Sequence, residues 1–102
     1  MGLRLDEEGR IGDLGYSIAR AWWGQGMVTE AARALIDAAF ESMPTLTRIR
    51  ASADSRNHAS LRVLEKVGMT REAVLRGNHY TRDEACDEVC FGLLRGEWRG
   101  SD

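Results

Sequence analysis

Trp22-Trp23-Gly24-Gln25-Gly26-Met27-Val28-Thr29-Glu30-Ala31 joins a segment with strand-like alternation to one with helical repetition. On its C-terminal side Val28, Ala31, Ala32, Leu35, Ala39 and Met43 recur at helical spacing. Thr29 to Ser42 contains no Gly or Pro and is rich in alanine, the strongest helix former. The spacing predicts a helix there, closed by Pro44. On the N-terminal side Leu14, Tyr16 and Ile18 alternate, which predicts a strand over Ile11 to Arg20. Gly12 and Gly15 weaken that strand and point to a bulge or a close backbone approach.

Outward from this junction, the rest of the chain falls into short elements. Leu3 and Leu5 share a face, and the polar stretch Glu7 to Arg10 holds Gly9, so the first segment folds back as a hairpin. Beyond the helix, Thr47, Ile49, Ala51 and Ala53 alternate with Arg48 and Arg50, a strand with one wetter face. Asp54, Ser55 and Asn57 are good helix N-cap residues. Leu61, Leu64 and Val67 then predict a short amphipathic helix, with Lys66 in its last turn and Gly68 just past it. Met69 to Tyr80 reads as a strand, Thr81 to Ala85 as a polar turn, and Cys86 to Leu94 as a last strand with Val89, Phe91 and Leu93 alternating. The tail is polar apart from Trp98, a candidate anchor. The order is β-β-α-β-α-β-β. A strand–helix–strand step needs a parallel crossover, and the outer hairpins are antiparallel. The expected fold is a mixed sheet with helices, an α/β or α+β domain, and residues 1–102 make a single domain.

Bulk properties narrow the function classes. The chain has 102 residues, 43% hydrophobic and 29% charged, with a formal net charge of -2, so bulk charge gives no nucleic-acid-binding surface. No run is long enough to cross a bilayer, and the N-terminus lacks a basic-then-apolar signal pattern. These features predict a cytoplasmic protein with neither nucleic-acid nor membrane partners. Cys86 and Cys90 lack both the spacing of a redox pair and the further ligands of a zinc site, so no metal is expected.

Gly24-Gln25-Gly26 carries the first chemical meaning. The first turn of a helix leaves backbone N–H groups without partners, and the helix dipole is positive there. Glycines let a phosphate approach that backbone, so strand–glycine loop–helix suits a pyrophosphate. Such a loop also serves as a plain tight turn. It is not a Walker loop, because no Lys-Ser/Thr pair follows, and it lacks the third glycine of a dinucleotide fingerprint.

Three ordered blocks extend the signal. The first is Gly12-Asp13-Leu14-Gly15-Tyr16 followed by Trp22 to Ala31. The second is Asp54-Ser55-Arg56-Asn57-His58-Ala59-Ser60, then Leu64-Glu65-Lys66-Val67-Gly68-Met69. The third is Gly77 to Tyr80, Asp87, and Phe91-Gly92-Leu93-Leu94. Together they resemble the GNAT superfamily of N-acetyltransferases, most of all the branch of ribosomal-protein N-acetyltransferases. The resemblance implies a partial GNAT acyl-CoA N-acyltransferase fold with acetyl-CoA as co-substrate and a primary amine, a protein N-terminus or a small amine, as acceptor. It implies that Ser17, Ile18 and Ala19 lie beside the pantetheine with Trp23 close to the cofactor. The amides of Gly24, Gln25, Gly26, Met27 and Val28 would hold the pyrophosphate, and Thr29 would add a hydroxyl. Asn57 and Ser60 would sit near the thioester sulfur.

Acetyl transfer needs a neutral amine, a polarised thioester carbonyl and a proton for the leaving thiolate. Many family members place a tyrosine on the second helix as the acid, seven residues beyond the position of Asn57. Leu64 stands there in this chain, and Ser60 matches the serine of the ribosomal-protein branch. Ser60 is equally suited to capping its helix. His79 is the candidate base, since histidine titrates near neutrality; the alternative is a solvent-facing strand histidine. His58 belongs to the helix-cap region, and Glu30 supports the loop or helix start.

A full member of the superfamily opens with a strand, two helices and further strands, and this chain begins about where the third strand would. The expected domain is therefore incomplete at its N-terminal side, with a sheet edge unpaired and apolar helix faces uncovered. A homodimer, with strand exchange as one route, would cover them. A non-catalytic CoA-binding or self-associating remnant is the alternative function.

Overall fold

The computed structural model describes residues 2–14, 25–81 and 83–98. Its elements are β1 (Arg4–Leu5), β2 (Ile11–Asp13), α1 (Gln25–Ser42), β3 (Arg48–Asp54), α2 (His58–Lys66), β4 (Thr70–Thr81) and β5 (Glu84–Leu94), followed by a 3-10 turn over Arg95–Glu97. The strands form one five-stranded sheet in the order β1-β2-β3-β5-β4. β1 and β2 are antiparallel and β2 and β3 parallel, while β5 runs antiparallel to both of its neighbours. This is the mixed α+β sheet that the alternation of elements predicts.

The first hairpin turns on Gly9, whose φ of 68° is the left-handed conformation that costs glycine least. Asp6 locks it by accepting from the amides of Arg10 and Ile11 at 2.8 and 3.1 Å. β2 and β3 then pair from Ile11↔Arg48 to Asp13↔Arg50, and the Leu14 amide adds a bond to the Arg50 carbonyl. The remainder of the expected second strand lies outside the described residues.

α1 starts at Gln25, four residues before the alanine-rich run that predicts it. Its buried stripe is Val28, Ala32, Ile36, Ala39 and Phe40, with Leu35 and Met43 at its margin. Ile36 and Phe40 extend the predicted apolar face by one residue per turn, as a period of 3.6 requires. In α2 the buried residues include Val63 beside Leu61 and Leu64, while Val67 is only half-buried. Both helices pack on the sheet face made by Ile49, Ala51, Ala53, Val89, Phe91 and Leu93, in one core. The predicted turn over Thr81 to Ala85 shrinks, because the strands continue to Thr81 and resume at Glu84. Asp83 turns the chain with a φ of 64°.

Trp98 is the anchor of the tail. Its indole N–H donates to Asp37 at 2.6 Å, and its ring lies 5.3 Å from that of Phe40. Arg95 reaches back to the end of α1 and donates to the carbonyls of Leu46, Phe40 and Met43 at 2.7, 3.0 and 2.6 Å.

Among the described residues the apolar stripes of both helices pack on the sheet, and Met27 of α1 stays exposed. The surface left open among the described residues is the other face of the sheet, and it is charged. Arg48 of β3 and Glu72 of β4 meet there through two hydrogen bonds of 2.9 and 2.6 Å. Gly92 of β5 lies beneath them; a Cβ at that position would come within 2.3 Å of Glu72 and 2.4 Å of Arg48. Gly92→Ala is therefore expected to displace the pair, at a cost of about 1 kcal/mol for a half-exposed bridge. The bonds from Arg48 hold Glu72 below its usual pKa of 4.5. A carboxylate lowered in the folded state contributes stability that is complete above its unfolded pKa and lost as pH falls through its folded one. The urea midpoint should decline as pH drops below about 4.5, and both Glu72→Gln and Gly92→Ala should flatten that decline.

Candidate functional site

β2 and β3 run parallel, so their carboxyl ends lie at the same end of the sheet. α1 begins after the first of these ends and α2 after the second. Past Arg50, β3 is paired only with β5 among the described residues. In an open sheet, the carboxyl ends of parallel strands are where ligands collect, because helix N-termini point there.

At the start of α1, Gly26 is exposed, and a Cβ placed on it would meet nothing within 4 Å. The backbone is thus open to a phosphate at the first helical turn. Met27 is 62% exposed, whereas Val28 and Thr29 are buried. Val28 and Thr29 can offer backbone groups, and their side chains help seat the helix on the core. Gln25 opens the helix. Ser17, Ile18, Ala19, Trp23 and Gly24 lie outside the described residues.

The start of α2 separates two roles that sequence leaves open. Asn57 is the N-cap, its side-chain oxygen accepting from the Ser60 amide at 3.2 Å. The cap role therefore belongs to Asn57, and the Ser60 side chain is buried in the first turn. His58 is the first helical residue and is exposed. Just ahead of the cap, Arg56 binds Asp54 and Glu84, each at 3.2 Å, and donates to the Cys86 sulfur. Asp54, then Glu84, raises the Arg56 pKa, so the guanidinium stays charged. This cluster ties α2's entrance to β5.

His79 is half-buried on β4, opposite Cys86. Its strand is irregular there: Leu75 pairs with Glu88, yet His79 pairs with Cys86. Gly77 sits in this irregularity with a φ of 63°, its amide donating to Asp87 at 3.0 Å. The bulge turns Asn78 over β5, where its amide donates to Glu88 at 2.7 Å. Ser52 and Asn78 hold the Glu88 carboxyl below its ordinary pKa. Burial, with Glu88 and Glu72 nearby, pushes the Cys90 thiol up and keeps it protonated.

Arg56, Cys86 and His79 thus come together at this end of the sheet, and α2 starts nearby in sequence with Asn57 and Ser60. Sequence reasoning missed two polar groups, Arg56 with Asp54 and Glu84, and Glu88 with Ser52 and Asn78. Each reads singly as a solvent-facing position, and only the bulge at Gly77 brings Asn78 onto Glu88. Among the described residues no three His, Cys, Asp or Glu side chains converge as metal ligands. No helix among them is long and apolar enough to cross a membrane.

A mixed sheet with two helix N-termini at the carboxyl ends of two parallel strands is an open α+β architecture. The chain belongs to the GNAT acetyltransferase family: residues 1–70 match the family model described as "Acetyltransferase (GNAT) domain". It is 32% identical to an uncharacterized N-acetyltransferase, p20, of Bacillus licheniformis over 94% of the chain and 53% of the relative. It is 36% identical to the "Putative ribosomal N-acetyltransferase YdaF" of Bacillus subtilis (strain 168), over 94% of the chain and 52% of the relative. A crystal structure of a probable acetyltransferase superposes with a TM-score of 0.77 at 31% identity, over 94% of this chain and 54% of that one. The chain spans about half the length of these curated relatives.

Proposed function

We propose that this chain is the acetyl-CoA-binding portion of an N-acetyltransferase that moves an acetyl group to a primary amine. The observation that carries this is the open backbone at Gly26, in the first turn of the helix that follows β2. A pyrophosphate at that helix start is favoured by the unpaired amides and by the helix dipole. The resemblance of the chain to ribosomal N-acetyltransferases supports a protein N-terminus as acceptor, with small amines as the other class.

In this scheme the amine attacks the thioester carbonyl directly. A C–N bond forms, the C–S bond breaks, and the nitrogen loses a proton that the thiolate regains. His79 takes the proton from the amine, Ser60 passes its hydroxyl proton to the sulfur, and the proton held by His79 returns to Ser60 through solvent, so both residues end as they began. A positioned acid or base contributes roughly 10²–10⁴-fold. Thiol release from acetyl-CoA in the presence of an amine and N-terminal peptide panel tests the proposal. Ser60→Ala and His79→Ala should each reduce turnover by about 10²-fold without changing acetyl-CoA affinity. Turnover that survives both substitutions would remove these residues from the mechanism. Saturable acetyl-CoA binding with no turnover on any acceptor would favour the second reading, a coenzyme-binding module without catalysis.

A homodimer fits the same scheme. β4 is an edge strand running from Thr70 to Thr81, with Val74 and Leu75 49% and 43% exposed. A long edge with apolar side chains invites pairing with a second copy. Sedimentation equilibrium at micromolar concentration should give twice the 11.4 kDa chain mass; the chain mass alone would refute the dimer.

A further inference from the structure

The open face of the sheet holds a cleft of about 360 Å³, lined by Asp13, Arg50 and Ser52 on one side and by Leu75, Glu88 and Cys90 on the other. That volume suits a small molecule or a single side chain. We infer that this cleft receives the acceptor, and that Glu88 is the carboxylate that holds the acceptor's ammonium group. This rests on the transferase reading above and names the substrate class: a cation, in preference to a neutral or anionic amine.

The charges in and beside the cleft carry the inference. Arg48 is matched by Glu72 at 2.6 Å. Arg50 is matched by Asp13 at 3.5 Å. Glu88 differs, because the hydrogen bonds described for it come from Asn78 and Ser52, which are both neutral. An ionised carboxylate has about four acceptor positions. Two neutral donors fix its orientation and leave acceptor capacity and a full negative charge for the cleft. The carboxylate is half-buried beside Cys90, which strengthens its attraction for a cation relative to open water. The chain invests structure in the arrangement. The bulge at Gly77, with its left-handed φ of 63°, is what swings Asn78 onto Glu88. His79 follows directly, opposite Cys86 and so two residues from Glu88 along β5. An ammonium held at Glu88 would therefore lie near the candidate base that must deprotonate it. Leu75 supplies an apolar wall for the aliphatic part of the acceptor.

The test is a titration of the isotopically labelled chain with n-butylammonium chloride, followed by amide chemical shifts. Sodium butyrate and n-butanol, of the same length, serve as the anionic and neutral probes. Saturable shifts at Ser52, Asn78, Glu88 and Cys90 are expected with n-butylammonium alone. Glu88→Gln should weaken that response by about tenfold or more, since it removes the charge and keeps the shape. Equal responses to all three probes, no saturable response in the wild-type chain, or an unchanged response in Glu88→Gln would each overturn the inference. A parallel titration with acetyl-CoA separates the two claims. Acetyl-CoA binding without a selective ammonium response overturns the cleft and leaves the transferase standing. A selective ammonium response without acetyl-CoA binding supports the cleft as a cation site and contradicts the transferase.

Discussion

Arg95→Ala is expected to lower the stability of the chain by about 3 kcal/mol, a drop of roughly 12 °C in Tm for a domain of this size. α1 ends without a basic residue in its last turn, so its terminal carbonyls need donors from elsewhere. Arg95 supplies them from the far end of the chain, reaching Phe40, Met43 and Leu46 at once. Its guanidinium also lies over the Phe40 ring, 5.0 Å from the centroid. Truncation removes the guanidinium from the Phe40 and Leu46 carbonyls, while Met43 keeps the Leu46 amide, and it loosens the seat of Phe40, which is almost fully buried. Arg95→Lys should recover only part of the loss, since one ammonium does not span the three carbonyls as a planar fork does. Urea midpoints of the two variants check this. A loss below about 1 kcal/mol in Arg95→Ala would show that water replaces the guanidinium at little cost.

Gly26→Trp is expected to abolish acetyl-CoA binding and leave the fold in place. The two halves of this statement rest on separate observations. A Cβ at Gly26 meets nothing within 4 Å among the described residues, so a side chain can leave the helix there without a clash at its root. That same space is where a pyrophosphate would approach the helix amides. An indole filling it should weaken binding at least 100-fold, more than 2.7 kcal/mol. Gly in a helix costs about 1 kcal/mol relative to Ala, so the variant should be no less stable than the wild-type chain. An unfolded variant would show that the site supports the helix start, and unchanged affinity would place the pyrophosphate elsewhere.

Much of this fold is legible because its elements are short and strongly patterned. Ile49, Ala51 and Ala53 announce one buried face, and the Arg48 and Arg50 positions announce the other. The helix closed by Pro44 and the cap before His58 follow from local chemistry alone. Boundaries are less legible. Gln25 and Gly26 belong to the helix although neither the glycine nor the apolar period marks them, because helix starts are set by cap geometry. The strand order could not be read either. β5 lies between β3 and β4, and nothing in the chain's own order says which strand takes the central place. The long-range groups were the least visible. Arg95 and the carbonyls it caps lie 49 to 55 residues apart, and no local pattern links them. The Glu88 network is hidden for a similar reason. It depends on a register irregularity at Gly77 that changes which side chains face each other. The glycine loop was legible as a candidate site because strand, glycines and helix start are adjacent in sequence.

The most direct test of the central claim is a calorimetric titration of the purified chain with acetyl-CoA. A saturable, one-to-one isotherm from a chain that is folded by circular dichroism is the predicted result, and it would establish the coenzyme site in this chain. A folded chain that gives no heat of binding at millimolar acetyl-CoA would contradict it.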